Sequence, residues 1–334
     1  MIFELKKTYK NKLTLIDSQI AIKLVKDNFE RKLAKNLNLI RVSAPLFVDP
    51  KTGLNDNLSG IEVPVGFNLT KLNQRVEIVQ SLAKWKRMAL GKYDFPIGTG
   101  LYTDMNAIRP DEETDNIHSI YVDQWDWEMV ISDEERNVEF LKDIVRKIVL
   151  SLTETNKILR ETFPTLTFEV NEDVYFITSE ELLQMYPNLS SKERENKICQ
   201  DKKTVFIIGI GEKLSNGESH DSRSPDYDDW SLNGDILIWN PILEMAFEIS
   251  SMGIRVNKSS LIKQLENDNK TDRLNYGYHQ NIVNGKYPLT IGGGIGQSRV
   301  CQLLLEKLHI GEVQVSTWLE EDLIALNQIG AHIL

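Results

Sequence analysis

Gly292, Gly293, Gly294 and Gly296 occupy four of five consecutive positions in the stretch 289–305, Leu-Thr-Ile-Gly-Gly-Gly-Ile-Gly-Gln-Ser-Arg-Val-Cys-Gln-Leu-Leu-Leu. Few folds accommodate so much bare backbone beside so apolar a flank. The pattern predicts a short strand, a glycine turn and then a helix, with backbone free to bend and to approach a ligand closely. Arg299 falls in the first turn of that helix. A helix N-terminus presents free N–H groups and the positive end of the helix dipole, and a guanidinium adds a planar fork of donors suited to phosphate. Two readings follow from this stretch alone: a seat for a phosphate, or a turn whose glycines only permit close packing. It is not a Walker A loop, because no Gly-Lys-Ser/Thr follows the glycines. Nor is it the dinucleotide fingerprint, which has a third glycine and opens a first βαβ unit.

The rest of the chain bounds what such a seat could serve. Its 39 Lys and Arg against 49 Asp and Glu give a net charge of −10 over 334 residues. That balance argues against long-range attraction to nucleic acid or to an anionic membrane. No apolar run approaches eighteen residues, so no transmembrane helix is expected. Residues 1–10 lack the order of a signal peptide, a basic segment followed by an apolar one. Cys199 and Cys301 are far apart and belong to no Cys-x-x-Cys or Cys/His cluster, which fits a reduced, cytoplasmic protein without structural zinc. Without a Pro/Gly/Ser linker, a low-complexity tract or an internal repeat, residues 1–334 read as a single domain.

Apolar residues at helical spacing predict an amphipathic helix over 16–37, followed by a strand over 39–48 that Pro45 interrupts or confines to an edge. This pair could be a dimer interface or plain packing on a sheet. Residues 49–60 are turn formers, and Asp56 reads there as a turn residue. A strand over 75–79 leads to a helix over 81–90 capped by Ser81, with Lys84, Lys86 and Arg87 as a solvated basic face. Strands over 101–108 and 118–130 flank the charged loop Arg109-Pro110-Asp111-Glu112-Glu113 and read as an antiparallel pair. In the second strand, alternation sets Gln124, Asp126 and Glu128 on one face and Asp123, Trp125 and Trp127 on the other. Asp is a poor strand former, so the polar face is either open to water or, the favoured reading, the floor of a polar site.

Ser132 and Glu135 have the spacing of a capping box for a helix over 132–162. Helices follow over 179–186 and 190–199, then a buried strand over 204–210. The next loop carries His220, Asp221, Arg223, Asp226, Asp228 and Asp229; loops of that length tend to be functional or mobile. Strands over 235–240, opened by Asp235, and over 247–256, carrying Glu248 and Arg255, lead through helices over 259–266 and 273–283 back to the glycines. Acids and arginines on strands beside a phosphate seat imply a nucleotide and a divalent cation.

Taken together, these strings resemble a known family. Arg109-Pro-Asp-Glu at a strand end, the partner strand and Gly-Gly-Gly-Ile-Gly-Gln-Ser-Arg resemble motifs 2 and 3 of class II aminoacyl-tRNA synthetases, and the first helix, strand and Pro45 resemble motif 1. Gln124-x-Asp126-x-Glu128 and Phe247-Glu248…Ile254-Arg255 are similar to the aspartyl and asparaginyl members. Asp56-Asn-Leu-Ser-Gly, Ser81-Leu-Ala-Lys-Trp-Lys-Arg, Tyr121-Val-Asp-Gln-Trp-Asp-Trp-Glu, Pro225-Asp-Tyr-Asp-Asp-Trp and Asn233-Gly-Asp-Ile-Leu resemble the ammonia-dependent asparagine synthetases, or aspartate–ammonia ligases, over about residues 15–315. Gln80 departs from their pattern, which has His, and the segment from Trp230 to Leu232 is short.

The resemblance implies an α+β fold: a class II synthetase-like core of mostly antiparallel sheet flanked by helices, forming a homodimer. It implies that ATP and Mg²⁺ activate the β-carboxylate of L-aspartate as β-aspartyl-AMP, releasing pyrophosphate, and that ammonia then displaces AMP to give L-asparagine. On the resemblance, Arg109 holds the α-phosphate and Arg299 the γ-phosphate, beside Gly292, Gly293 and Gly294. Asp235 and Glu248 hold Mg²⁺, with Glu248 also at the ATP. Ser81, Lys86, Gln124, Asp126, Asp228, Ser251 and Arg255 surround the amino acid, and Asp56 accepts a proton from ammonium. Residue 2 is Ile rather than the cysteine a glutamine-dependent enzyme needs, so ammonia is the expected nitrogen source. No stretch remains for an anticodon-binding domain, so no nucleic-acid partner and no membrane are expected. Two other readings stay open: a tRNA-type adenylating enzyme or paralogue with another acceptor, and a regulatory paralogue that binds an amino acid without catalysis.

Overall fold

The computed structural model describes residues 8–56 and 62–334. The reading of residues 1–7 as no leader, and residues 57–60 of the turn-rich loop, lie outside them. Eleven strands are described: β1 (Leu39–Arg41), β2 (Phe47–Val48), β3 (Gly66–Leu69), β4 (Gln74–Ile78), β5 (Gly100–Ile108), β6 (Tyr121–Val130), β7 (Tyr175–Thr178), β8 (Thr204–Ile208), β9 (Asp228–Asn240), β10 (Met245–Arg255) and β11 (Thr290–Gly296). The α-helices are α1 (Leu15–Asn36), α2 (Ala83–Lys92), α3 (Val138–Thr162), α4 (Ser179–Met185), α5 (Ser191–Lys202), α6 (Lys258–Asn267), α7 (Gly277–Val283), α8 (Gln297–Leu304) and α9 (Glu320–Gln328).

Eight strands form one sheet in the order β1-β5-β6-β11-β10-β9-β8-β7, and β2-β4-β3 form a small second sheet. The five inner pairings of the large sheet are antiparallel and the two outermost are parallel. One face is covered by α1 and α3, whose Val25, Phe29, Leu33, Ile144, Ile148 and Leu152 share a core with Trp125 and Trp127 of β6 and Phe247 and Ile249 of β10. Phe29 and Trp125 stack with ring centroids 4.6 Å apart. The other face carries α2 over a smaller core of Val79, Leu82, Trp85, Leu90 and Leu101. That face, at the centre of the sheet, holds the polar residues of β6.

The expected pair around Pro45 divides: β1 is an edge strand of the large sheet and β2 belongs to the small one. Pro45 lacks the N–H a continuous ladder needs. Four expectations are corrected. Residues 292–296 are strand, not turn: Gly293 opposes Met252 on one side and Trp127 on the other, and none of these glycines has a positive φ. Helix α3 begins at Val138, capped by Asn137, whose side chain accepts from the Phe140 N–H; of the expected box only the Glu135 side chain reaches the Ser132 N–H, at 2.8 Å. The α2 N-cap is Leu82, and Ser81 Oγ accepts from the Ala83 N–H at 3.1 Å. Asp235 lies well inside β9, which starts at Asp228 and so absorbs the end of the long loop.

Candidate active site

The strand β11 positions the site because it is nearly featureless. A Cβ on Gly292 would stand 2.3 Å from Glu128 Oε2, and one on Gly294 would stand 2.4 Å from Gln124 Oε1. The glycines therefore make room for the polar side chains of β6, and above them opens a cavity of about 480 Å³.

The cavity is lined by Asp56, Ser81, Lys86, Gln124, Asp126, Asp228, Ser251 and Arg255, and also by Arg109, Glu248 and Arg299. Lys84, Lys86 and Arg87, expected on a solvated face, are all buried. Lys86 Nζ lies 2.5 Å from Asp126 Oδ1 and 2.9 Å from the Gly293 carbonyl. Burial pushes its pKa down, and Asp126 opposes the shift. Asp126 Oδ2 is buried and has no hydrogen-bond partner among the described residues. Arg87 donates to the carbonyls of Pro288 at 2.9 Å and Val256 at 2.7 Å, a structural brace.

Below Lys86, Arg255 joins two strands. It bonds Glu128 through Nε at 3.0 Å and Nη2 at 2.7 Å, and Asp228 through Nη1, while Thr290 Oγ1 donates to Glu128 at 2.7 Å. Burial raises the Glu128 pKa, but Arg255 more than offsets it, and the carboxyl is held below its usual value. For Asp228, burial outweighs Arg255 and raises the pKa.

Arg109, also on the cavity wall, follows β5, and its backbone N–H bonds the Ile120 carbonyl at 2.8 Å. Its guanidinium lies 3.9 Å from Glu112, too long for a firm pair. Arg299, in the first turn of α8, lies 3.2 Å from the Glu248 carbonyl and 3.7 Å from its carboxylate. Glu248 is held below its usual pKa: burial raises it, and Arg299 and Arg223 more than offset that. Asp235 is pushed up to about 6, by burial first and against the pull of Arg223, with Glu248 adding to the rise.

Two expected residues do not face the cavity. Gly292 is filled from below by Glu128 and Arg255. Asp235 is covered by Arg223, whose Nη2 bonds both its oxygens and which itself lines the cavity. Sequence reasoning missed Arg223 as a partner of the acidic pair; the signal available was a lone arginine in an acidic loop. It also missed Asp226, which is fully buried and bonded by Lys84 at 2.9 Å, Arg273 at 2.9 Å and His279 at 2.9 Å. This node ties the loop before β9 to α2 and α7. No sequence spacing links those four residues. Among the described residues, no three His, Cys, Asp or Glu side chains gather as a metal site.

Comparison with known proteins shows the family of the chain. A family profile described as aspartate-ammonia ligase matches residues 16–330. The chain belongs to the aspartate–ammonia ligase family. It is 58% identical over 329 residues to the aspartate–ammonia ligase of Clostridium tetani (strain Massachusetts / E88), covering 98% of this chain and 96% of that one. To the ligase of Clostridium perfringens (strain SM101 / Type A) it is 55% identical over 329 residues, covering 98% of each. As a member of this family it is a ligase that forms a C–N bond, the bond between ammonia and the side-chain carboxyl of aspartate. Its fold matches asparaginyl-tRNA synthetase from Pyrococcus horikoshii, a structure complexed with asparaginyl-adenylate. The TM-score is 0.64 at 13% identity, over 89% of this chain and 68% of that one. The expected class II fold is thus the observed one.

Proposed function

We propose that this cavity binds ATP at its Arg109–Arg299 end and L-aspartate at its Lys86–Asp126 end, and that the β-carboxylate attacks the α-phosphate between them. The observation that carries this reading is that the two arginines and the Lys86–Asp126 pair line one cavity, expected from the sequence to hold opposite ends of one reaction. Attack of a carboxylate on a phosphate brings two anions together, so cations fixed in advance are what the step needs. Arg109 holds the α-phosphate, where charge develops, and Arg299 the γ-phosphate, which leaves with pyrophosphate. Gly293 and Gly294 let the nucleotide lie against bare strand.

The amino acid is held by its two charged ends. Lys86 meets the α-carboxylate, with Arg255 supporting the wall behind it. Asp126 keeps Oδ2 for the α-amino group, which also lies near Gln124, Asp228 and Ser251. Asp56, buried at this end, takes the proton from ammonium so that neutral ammonia attacks the β-aspartyl-AMP carbonyl and AMP leaves.

Magnesium fits the residues present. Asp235 and Glu248 offer oxygen donors, and each raises the charge cost of the other in a buried setting, with Glu248 adding to the upward shift of Asp235. Mg²⁺ is commonly held by one or two carboxylates plus substrate phosphates. Bound there it would neutralise and bridge phosphate oxygens. Arg223, now on Asp235, would have to share or leave that carboxylate.

The proposal includes a homodimer in the cytoplasm, acting as one catalytic domain without nucleic acid or membrane. Purified protein given ATP, Mg²⁺ and aspartate, with and without ammonium, tests the reading. Ammonium-dependent asparagine and AMP are the expected products. AMP formed only with tRNA would instead indicate a tRNA-type enzyme, and absence of aspartate-dependent pyrophosphate exchange a protein without catalysis.

A further inference from the structure

Gln80 lies on the short link between β4 and α2. Val79 just before it and Leu82 two residues after it are both buried in the smaller core under α2, which fixes the link, and Gln80 lines the cavity. The residue is 1% exposed. Its backbone is pinned as well: the Asn55 Oδ1 accepts both the Gln80 N–H at 2.9 Å and the Asp56 N–H at 3.0 Å. One carboxamide oxygen therefore sets Gln80 and Asp56 side by side, next to Ser81.

The side chain itself is the anomaly. Neither its Nε2 nor its Oε1 has a hydrogen-bond partner among the described residues. A buried carboxamide has two donors and an acceptor to satisfy, and leaving such groups unmet costs roughly 1–3 kcal/mol each. A leucine or methionine at this place would fill the same space without that cost. A buried polar group on a cavity wall, held by a rigid link and bonded to none of the described residues, is the arrangement expected of a ligand contact.

We propose that Gln80 is a substrate-contacting residue at the amino-acid end of the cavity, donating from Nε2 to the side-chain carboxyl of aspartate and accepting at Oε1 from the incoming ammonia. This rests on the reading above that the amino acid lies at the Ser81–Lys86 end. The residue reads the one group that changes in the reaction: a carboxylate that only accepts becomes a carboxamide that both accepts and donates, and a carboxamide can match both states.

The Gln80→Met variant tests this, because it keeps volume and removes only the polar atoms. The inference expects KM for aspartate to rise roughly tenfold, the worth of about one to two hydrogen bonds. KM for ATP should stay within about twofold, and the melting temperature should be unchanged or higher, since an unmet buried amide is gone. A melting temperature lowered by several degrees with unchanged KM for aspartate makes Gln80 structural and overturns the inference. So does an equal rise in both KM values. Gln80→Leu provides a second apolar replacement should Met pack poorly. Asp126→Asn is the control for the underlying reading. If it too leaves KM for aspartate unchanged, the placement of the amino acid fails; if it raises KM while both Gln80 variants do not, only the role of Gln80 fails.

Discussion

Single side chains in this protein fall into two kinds: those whose partner is another residue and those that keep capacity for a ligand. Arg255 and Arg299 illustrate the division. Arg255 is buried between Glu128 and Asp228, whereas among the described residues Arg299 meets only Glu248, through a 3.2 Å bond to its carbonyl and a loose 3.7 Å approach to its carboxylate. Arg299→Ala should therefore leave folding nearly intact and slow adenylation by roughly 3–4 kcal/mol, the usual cost of removing one preorganised donor to developing charge. Aspartate-dependent pyrophosphate exchange measures it; near-normal exchange would remove Arg299 from the phosphate. Glu128 belongs to the other kind. Its folded pKa is lowered, so its contribution to stability is present above the unfolded value, near 4.5, and is lost as pH falls through the folded value. Urea unfolding at pH 7 and pH 3 should show a loss in the native chain. Glu128→Gln should be less stable at pH 7 and lose less on acidification; an equal loss would assign the acid sensitivity to other groups. The chemistry-bearing residue types were legible in the sequence as acids and arginines on strands. Which of them pair with each other was not, because Lys86 and Asp126, or Lys84 and Asp226, meet only across elements.

At the scale of elements, the sequence pattern was most legible where periodicity is strong and least where it depends on a neighbour. Helix α1 and strands β5, β6 and β10 fall close to where alternation and helical spacing set them. Strand β11 does not read as a strand from its own residues, since glycine is depleted in strands. It is extended because β6 and β10 bond it on both sides over five to seven residues. Its glycines differ in consequence. A methyl on Gly292 would meet the Trp127 carbonyl at 2.6 Å as well as Glu128, and backbone cannot yield. Gly292→Ala should destabilise the fold by about 1–3 kcal/mol through overpacking, read as a lower denaturation midpoint. Gly294→Ala would press mainly on the Gln124 side-chain amide, which can turn aside, so its effect should fall more on KM for aspartate than on stability. Equal destabilisation by both would mean that the whole strand, not the contact at Gly292, is intolerant.

For the whole molecule, the sheet gives its α1–α3 face to the main core and its α2 face to the cavity, and its β1 edge pairs with no further strand among the described residues. On α1, Ile16 is 71% exposed and Ile20, one turn on, is similarly open; Ile40 of β1 is 60% exposed and Leu46 is open as well. Exposed apolar side chains on a helix and an unpaired strand edge are both the kind of surface a second copy covers. Ile16→Glu with Ile20→Glu should therefore yield a monomer by sedimentation velocity; a dimer that survives both changes uses another face. Motif strings alone determined the chemistry of the protein: its family and its ligase reaction. Those follow from residue identity, which local sequence carries in full. The tertiary structure alone decided that the glycines are a strand, that the basic face of α2 is buried, that Arg223 sits on Asp235, and that Gln80 is left facing the cavity. Each of these depends on which atoms fill the space beside a residue, and in a sheet that joins strands more than a hundred positions apart, that space belongs to distant parts of the chain.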